Sequence, residues 1–174
     1  KEKCQKELKI LNYKVEVPRI PFKRFTYDEV IDELKEENIQ VPWGQDISTP
    51  ALRKLGKLHP YHYFITDWPT ESKPFYITPR EDNPKVSEGF DFMWKWLELA
   101  SGGTRVHSKE LLTKRLMEQG LNPESFKHHL KAFDYGMPPH AGWAIGLERL
   151  IMALTGKKNI REVVLFPRDR FRLT

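Results

Sequence analysis

Apolar positions along this chain recur at two periods, and the switches between them mark out its elements. Leu147, Leu150, Ile151 and Leu154 fall at helical spacing and predict a helix that opens directly after Gly146 with one buried stripe. Thr26-Tyr27-Asp28-Glu29 reads as a capping box, and Val30, Ile31 and Leu34 give the helix behind it an apolar face ending near Asn38. Thr49-Pro50 starts another helix, with proline in its first turn, running to about His59. Lys1 to about Leu11 reads as the end of a charged helix whose beginning is absent, and Pro18 and Pro21 make an extended connector. Strands are expected over Tyr61–Thr66, Lys73–Thr78 and Gly142–Ile145, and Pro79–Lys85 is a polar loop. Phe90–Arg105 reads as paired strands with a Ser-Gly-Gly bulge at 101–103. Two helices follow, Ser108–Glu118 and Pro123–Phe133, and Asn159–Phe166 is a short closing segment. Strands interleaved with helices, without regular βαβ spacing, predict an α+β fold: an antiparallel sheet flanked by helices.

Composition narrows the class. The length of 174 residues suits one domain of ordinary size or a piece of a larger one. Ten Phe, five Trp and six Tyr are enough to build a real core. Charged residues at 30% and a mean hydropathy of −0.61 point to a soluble protein. No apolar run approaches the roughly 18–20 residues that span a bilayer. The lysine-rich start has no apolar stretch behind it and is not a signal peptide. Cys4 is the only cysteine, which excludes an intramolecular disulfide and a multi-thiolate zinc site and fits a reducing cytoplasm. A net charge of +5 is compatible with a polyanionic partner such as RNA without requiring one.

Candidate chemistry sits in two stretches. In Gly142-Trp-Ala-Ile-Gly146-Leu147-Glu148-Arg149, the glycines allow a flat ligand to approach the backbone, and Arg149 offers a planar cation for a base or a phosphate. The plainer reading is a glycine hinge before an ordinary amphipathic helix. The second stretch, Phe90 to Arg105, sets Asp91 and Glu98 in an aromatic, apolar segment where an unpaired charge is costly. Their odd spacing would put them on opposite faces of one flat strand. A reversal near Trp94–Lys95 returns both to one face, where two carboxylates suit Mg²⁺ beside a triphosphate. Alternatively, each acid pairs with a nearby Lys or Arg. Arg105 has the fork for a small carboxylate; the alternative is a structural salt bridge, with Glu98 as a candidate partner. His59 and His62 lack partners at ligand spacing, His128 and His129 read as a solvated edge, and the basic tail Phe166–Arg172 suits phosphate or solvent.

Together these stretches resemble the aspartyl-tRNA synthetases of the archaeal and eukaryotic type. Gly142…Gly146-Leu-Glu148-Arg149 looks like motif 3 of class II aminoacyl-tRNA synthetases, placed here at 142–154. The order Phe-Asp…Leu-Glu…Ser-Gly-Gly-x-Arg, then Tyr-Gly-Met-Pro-Pro-His-Ala-Gly, then Phe-Pro-Arg-Asp-Arg-x-Arg-Leu-Thr follows that family from about Phe25 to Thr174. The resemblance implies the class II antiparallel sheet, with Asp91, Glu98 and Ser101 holding Mg²⁺ on ATP. It implies that Ser101 and Arg105 bind aspartate, and that Gly146, Leu147, Glu148 and Arg149 bind ATP. Arg149 and Glu98 would be the catalytic pair. The implied reaction makes aspartyl-adenylate from aspartate and ATP, then transfers the aspartyl group to tRNA(Asp). Catalysis would rest on positioning and charge neutralisation.

Two departures qualify the resemblance. Ala144 stands where motif 3 often carries another glycine. Motif 1, which forms the dimer interface of this class, motif 2 and the anticodon-binding domain have no counterpart here. The 174 residues therefore read as one partial domain, the C-terminal portion of a catalytic domain, arising by laboratory truncation, proteolysis or gene truncation. The parent is expected to be a cytoplasmic homodimer, the chain alone to be unable to form the adenylate, and such a piece to expose sheet edges. Three other functions stay open. They are an asparaginyl or non-discriminating synthetase, a stand-alone paralogue making asparagine, and a truncated interaction module without catalysis.

Overall fold

The computed structural model describes residues 2–172. Lys1 and the closing Leu173-Thr174 of the family-like tail lie outside the described residues. Five strands form one sheet in chain order: β1 (Lys23–Thr26), β2 (His62–Thr66), β3 (Gly89–Trp94), β4 (Leu97–Arg105) and β5 (His140–Ile145). β1 and β2 run parallel and the remaining pairs antiparallel, so the expected α+β architecture is present with one parallel edge. The helices are α1 (Gln5–Leu11), α2 (Tyr27–Glu36), α3 (Thr49–Leu58), α4 (Lys109–Glu118), α5 (Lys127–Lys131) and α6 (Leu147–Thr155).

Local sequence explains most of these. The capping box forms as written, with Thr26 accepting from the Glu29 amide and Glu29 from the Thr26 amide, so α2 starts where the chain leaves β1. Val30 and Leu34 of α2 and Ala51 and Leu55 of α3 then bury against Tyr63, Ile65 and Met93 on one sheet face. Val106 and Phe75 gather Leu112, Leu116 and Leu130 of α4 and α5 into a second cluster. On the opposite sheet face Leu97 and Leu99 pack on Met152 of α6, flanked by Phe92 and Trp94.

Three expectations change. Residues 73–78 form turns and a single bridge, Ile77 to Arg105, rather than a strand, because Pro74 and the three-residue 3₁₀ turn Thr70–Ser72 hold the chain off the sheet. The second helix, expected over 123–133, is a 3₁₀ turn, the short α5 and another 3₁₀ turn. On α6 the buried residue is Met152, while Leu147 and Leu154 of the expected stripe face outward. The helix leaves β5 at Gly146 and swings Met152 onto β4, which turns the leucines away.

The bulge is also misplaced by the sequence reading. Ser101, Gly102 and Gly103 keep regular register opposite Asp91, Phe90 and Gly89. The shift falls between Phe92 and Met93, which pair with Ala100 and Glu98, so Leu99 is the extra residue. Leu99 and Ala100 both bury, side by side in the chain.

The β3–β4 turn carries Lys95 at φ +55 with no glycine to ease it. Tertiary contacts hold it instead: Tyr63 Oη donates to the Lys95 carbonyl at 2.7 Å, and Gly56 of α3 abuts the turn. A methyl at Gly56 would lie 2.5 Å from Trp96 N and 2.7 Å from Lys95 C, both backbone atoms. Helix propensity favours Gly→Ala by up to about 1 kcal/mol, but overpacking against backbone costs about 1–3 kcal/mol. Gly56→Ala should therefore lower Tm in a calorimetric melt; a higher Tm would mean that the turn yields freely.

Candidate functional site

Strand register places the candidate residues. Side chains two apart share a face, and directly paired residues share it too. Asp91 pairs with Ser101, and Glu98 pairs with Met93, two residues from Asp91. The extra residue at Leu99 is what makes this possible. Without it Glu98 would oppose Trp94 and point into the apolar cluster under α6. Asp91, Glu98, Ser101 and Arg105 thus lie on one face, beside the core formed by α2 and α3.

The same face carries a row without side chains. Gly89, Gly103 and Gly142 are successive cross-strand partners on β3, β4 and β5. Two basic side chains border this strip. Lys73 runs past Gly89, its Cγ 3.5 Å from where a Cβ would stand. The Arg105 guanidinium lies over Gly142, with Nη2 3.0 Å from the corresponding position and donating to the Gly142 carbonyl at 3.0 Å. A Cβ at Gly89 or Gly142 would crowd the Lys73 or Arg105 side chain beside it, and one at Gly103 would lie 2.6 Å from the Glu88 carbonyl oxygen.

Lys73 is the residue that sequence reasoning missed. Its Nζ lies 2.8 and 3.0 Å from the two Asp91 oxygens and 4.0 Å from the centre of the Trp68 ring. The sequence offered no periodic signal, because Lys73 sits on a turn rather than the strand expected there. Arg105 does not pair with Glu98; it stacks on Tyr76 at 4.8 Å. An apolar cavity of about 510 Å³ opens beside it, walled by Val106, Phe126, Phe133 and Met137.

Glu98 is met by Arg149, whose Nη1 donates to the Glu98 carbonyl at 3.0 Å and approaches its carboxylate at 3.6 Å. Arg149 folds back over Gly146, with its Cδ 3.5 Å from the missing Cβ, and its guanidinium stays open to solvent. Gly146 itself caps α6 and donates to the Leu99 carbonyl at 2.8 Å, tying the helix start to the bulge. Leu147 and Glu148 are exposed in the first turn, and Ala144 pairs with Ser101. Each acid therefore has a cation beside it, and the acids still share a face. Elsewhere His59 pairs with Glu33 at 2.6 Å, and Arg80 bridges Asp67 and Asp82 in a polar cavity of about 630 Å³ that none of the candidate residues lines.

Burial pushes the Asp91 carboxyl up to about 6, against the charge and hydrogen bonds of Lys73, while Glu98 and Asp46 add to the rise. Because this value lies above that of a free aspartate, the group favours the fold most below about pH 4 and loses that contribution as pH rises through about 6. A ¹³C-carboxyl titration of Asp91 should have its midpoint near 6. Lys73→Met should raise the midpoint and Glu98→Gln should lower it. A wild-type midpoint under about 4 would show that Lys73 outweighs burial.

Comparison with known proteins places this geometry. The family model for tRNA synthetases class II (D, K and N) matches residues 2–170. The aspartate–tRNA(Asp/Asn) ligase of Archaeoglobus fulgidus is 53% identical over 172 residues, 99% of this chain and 40% of that protein. The aspartyl-tRNA synthetase of Entamoeba histolytica superposes with a TM-score of 0.86 at 38% identity, covering 92% of this chain and 34% of the other. The Pyrococcus horikoshii asparaginyl-tRNA synthetase complexed with asparaginyl-adenylate gives a TM-score of 0.89 at 28% identity, covering 99% and 41%. The chain spans about 40% of the length of the curated relatives it matches. With nearly every residue inside the family match and a five-stranded, largely antiparallel sheet to go with it, the chain belongs to the class II tRNA synthetases of the D, K and N group.

Proposed function

We propose that this chain is the C-terminal portion of the catalytic domain of an aspartate–tRNA ligase. The whole protein would activate aspartate with ATP and pass it to tRNA(Asp). The observation that carries this reading is the glycine row bordered by Lys73 and Arg105, with Asp91, Glu98 and Ser101 alongside. A small dicarboxylate fits such a strip. Its side-chain carboxylate meets the Arg105 fork and the Lys73 ammonium, while its backbone end points along the face toward Ser101 and Glu98.

ATP would lie beside Gly146–Arg149. Leu147 and Glu148 flank the approach, and the open guanidinium of Arg149 stacks on the base or neutralises phosphate charge. The attacking α-carboxylate oxygen bonds to the α-phosphorus as the bond to the bridging oxygen of the β-phosphate breaks and pyrophosphate leaves. This step calls for no covalent nucleophile from the protein, so the residues act by holding two anions together against their repulsion. The ribose hydroxyl at the tRNA end then takes the aspartyl group, releasing AMP.

Mg²⁺ suits the donor set. Asp91 and Glu98 share one face with the Ser101 hydroxyl between β3 and β5, and a hard cation of this size takes one or two carboxylates plus phosphate oxygens. Among the described residues no cluster of three or more His, Cys, Asp or Glu offers an alternative centre. When bound, the ion would shield the phosphates from each other and from the incoming carboxylate. Homodimerisation and a cytoplasmic setting belong to the same reading. Among the described residues no helix is long and apolar enough to cross a membrane.

A second acceptor is favoured by one observation: the curated relatives near 50% identity are named for both tRNA(Asp) and tRNA(Asn). Charging of the two purified tRNAs separates single from dual acceptor use. Aspartate-dependent ATP–pyrophosphate exchange by the full-length gene product tests the activity itself. Arg105→Ala should lower kcat/KM for aspartate about 10- to 100-fold, the range for a lost charge-assisted bond to a carboxylate. Arg149→Ala should act on the ATP KM. Exchange driven by asparagine instead of aspartate would falsify the aspartate assignment.

A further inference from the structure

The loop that presents Lys73 is held from outside as well as from within. It is a three-residue 3₁₀ turn, Thr70–Ser72, set between Pro69 and Pro74, with the Ser72 amide and hydroxyl donating to the Pro69 carbonyl and further anchors coming from other elements. Arg115 of α4 sends Nη2 to the Thr70 carbonyl at 2.8 Å, and the Lys73 amide donates to that same oxygen at 3.4 Å. Gln119, at the C-terminal cap of α4, donates Nε2 to the Lys73 carbonyl at 2.8 Å. Both ends of the Lys73 main chain are thus fixed with help from one helix. The turn is tied on its other side by Thr70, whose amide and hydroxyl donate to the carbonyls of Lys85 and Pro84.

Arg115 is an unusual choice for this work. It is 4% exposed, its Nη1 pairs with Glu118 at 2.9 Å, and its buried Nε has no partner. Burying a guanidinium this deeply is costly, and an apolar residue would fill the same space beside Leu112 and Leu116 more cheaply. An apolar residue would not reach the Thr70 carbonyl.

We propose that Arg115 and Gln119 are positioning residues. They set the Lys73 backbone so that its stem passes Gly89 and its ammonium stands against Asp91, and so tune affinity for the substrate's side-chain carboxylate. The assignment rests on the aspartate reading above. Neither residue lines the glycine row, and both act through Lys73.

The test is aspartate-dependent ATP–pyrophosphate exchange with the full-length gene product. Gln119→Ala should raise the KM for aspartate about threefold, as for one neutral hydrogen bond, with kcat and the ATP KM unchanged. Arg115→Lys, which keeps the charge and loses the fork, should raise it about tenfold. In a Lys73→Met background each change should lower kcat/KM for aspartate by less than about twofold, because their effect passes through the residue already removed. Should Arg115→Lys prove unstable, Gln119→Ala carries the test alone, since that side chain is exposed. Equal effects on the aspartate and ATP KM values, or full effects persisting without Lys73, would overturn the assignment while leaving the aspartate reading intact. A wild-type protein without aspartate-dependent exchange would overturn both.

Discussion

One extra residue in β4 governs both faces of the sheet. Leu99 lets Leu97, Leu99 and Ala100 all bury, with the two leucines under α6, and it turns Glu98 to the side that carries Asp91 and Ser101. A regular hairpin would exchange these roles, placing a carboxylate against Met152 and a leucine among the site's charges. Burying that carboxylate unpaired would cost several kcal/mol, more than any single packing contact returns. The bulge is also tied to the start of α6, since the Leu99 carbonyl accepts from Gly146 and the Glu98 carbonyl accepts from Arg149. The core of α6 and the polar face therefore cannot be altered independently.

The polar face is a balance of charges at different depths. Asp91 and Lys73 form a pair that is mostly buried, whereas Glu98 and Arg149 are both well exposed. Water screens the second pair and leaves it free to exchange partners, while the first holds its geometry. Arg105 is different again. Its fork is held by one carbonyl and the face of Tyr76, with no carboxylate among the described residues paired to it, so its charge is available to a ligand. α4 contributes from behind, fixing the turn that carries Lys73 without entering the site.

How much of this was legible follows from what each feature depends on. The capping box, the proline-started α3 and the α+β class are local signals, and they read true in the fold. Whether Asp91 and Glu98 share a face was open, because the turn between them carries no turn residue and the bulge looked more natural at Ser101–Gly103. Lys95 takes its left-handed conformation from contacts with Tyr63 and Gly56, which are distant in sequence. The glycine row is spread over three strands and exists only once register is known. Lys73 escaped notice for the same reason: its place is set by Asp91, Trp68 and Gln119, none of them adjacent to it in the chain.

Lys73 also bears on why the proposed substrate is aspartate and not asparagine. Arg105 already favours a carboxylate, since its fork can pair with both oxygens of an acid but with only one atom of an amide. An ammonium has three donors and no acceptor, so beside it the amide NH₂ of asparagine finds no partner. A buried donor left facing a cation loses a hydrogen bond and gains a repulsion, and sites that strand polar groups in this way reject the wrong ligand far more strongly than sites that merely fit less well. The Asp91 partner tempers this, because it already offsets the Lys73 charge. What remains is directional: the ammonium is pinned between Asp91 and Trp68, while the stem of the side chain passes Gly89, its Cγ 3.5 Å from where a Cβ would stand. Selectivity on this reading depends on where Lys73 is held as much as on its charge, and that position is set by a turn anchored to a helix outside the site.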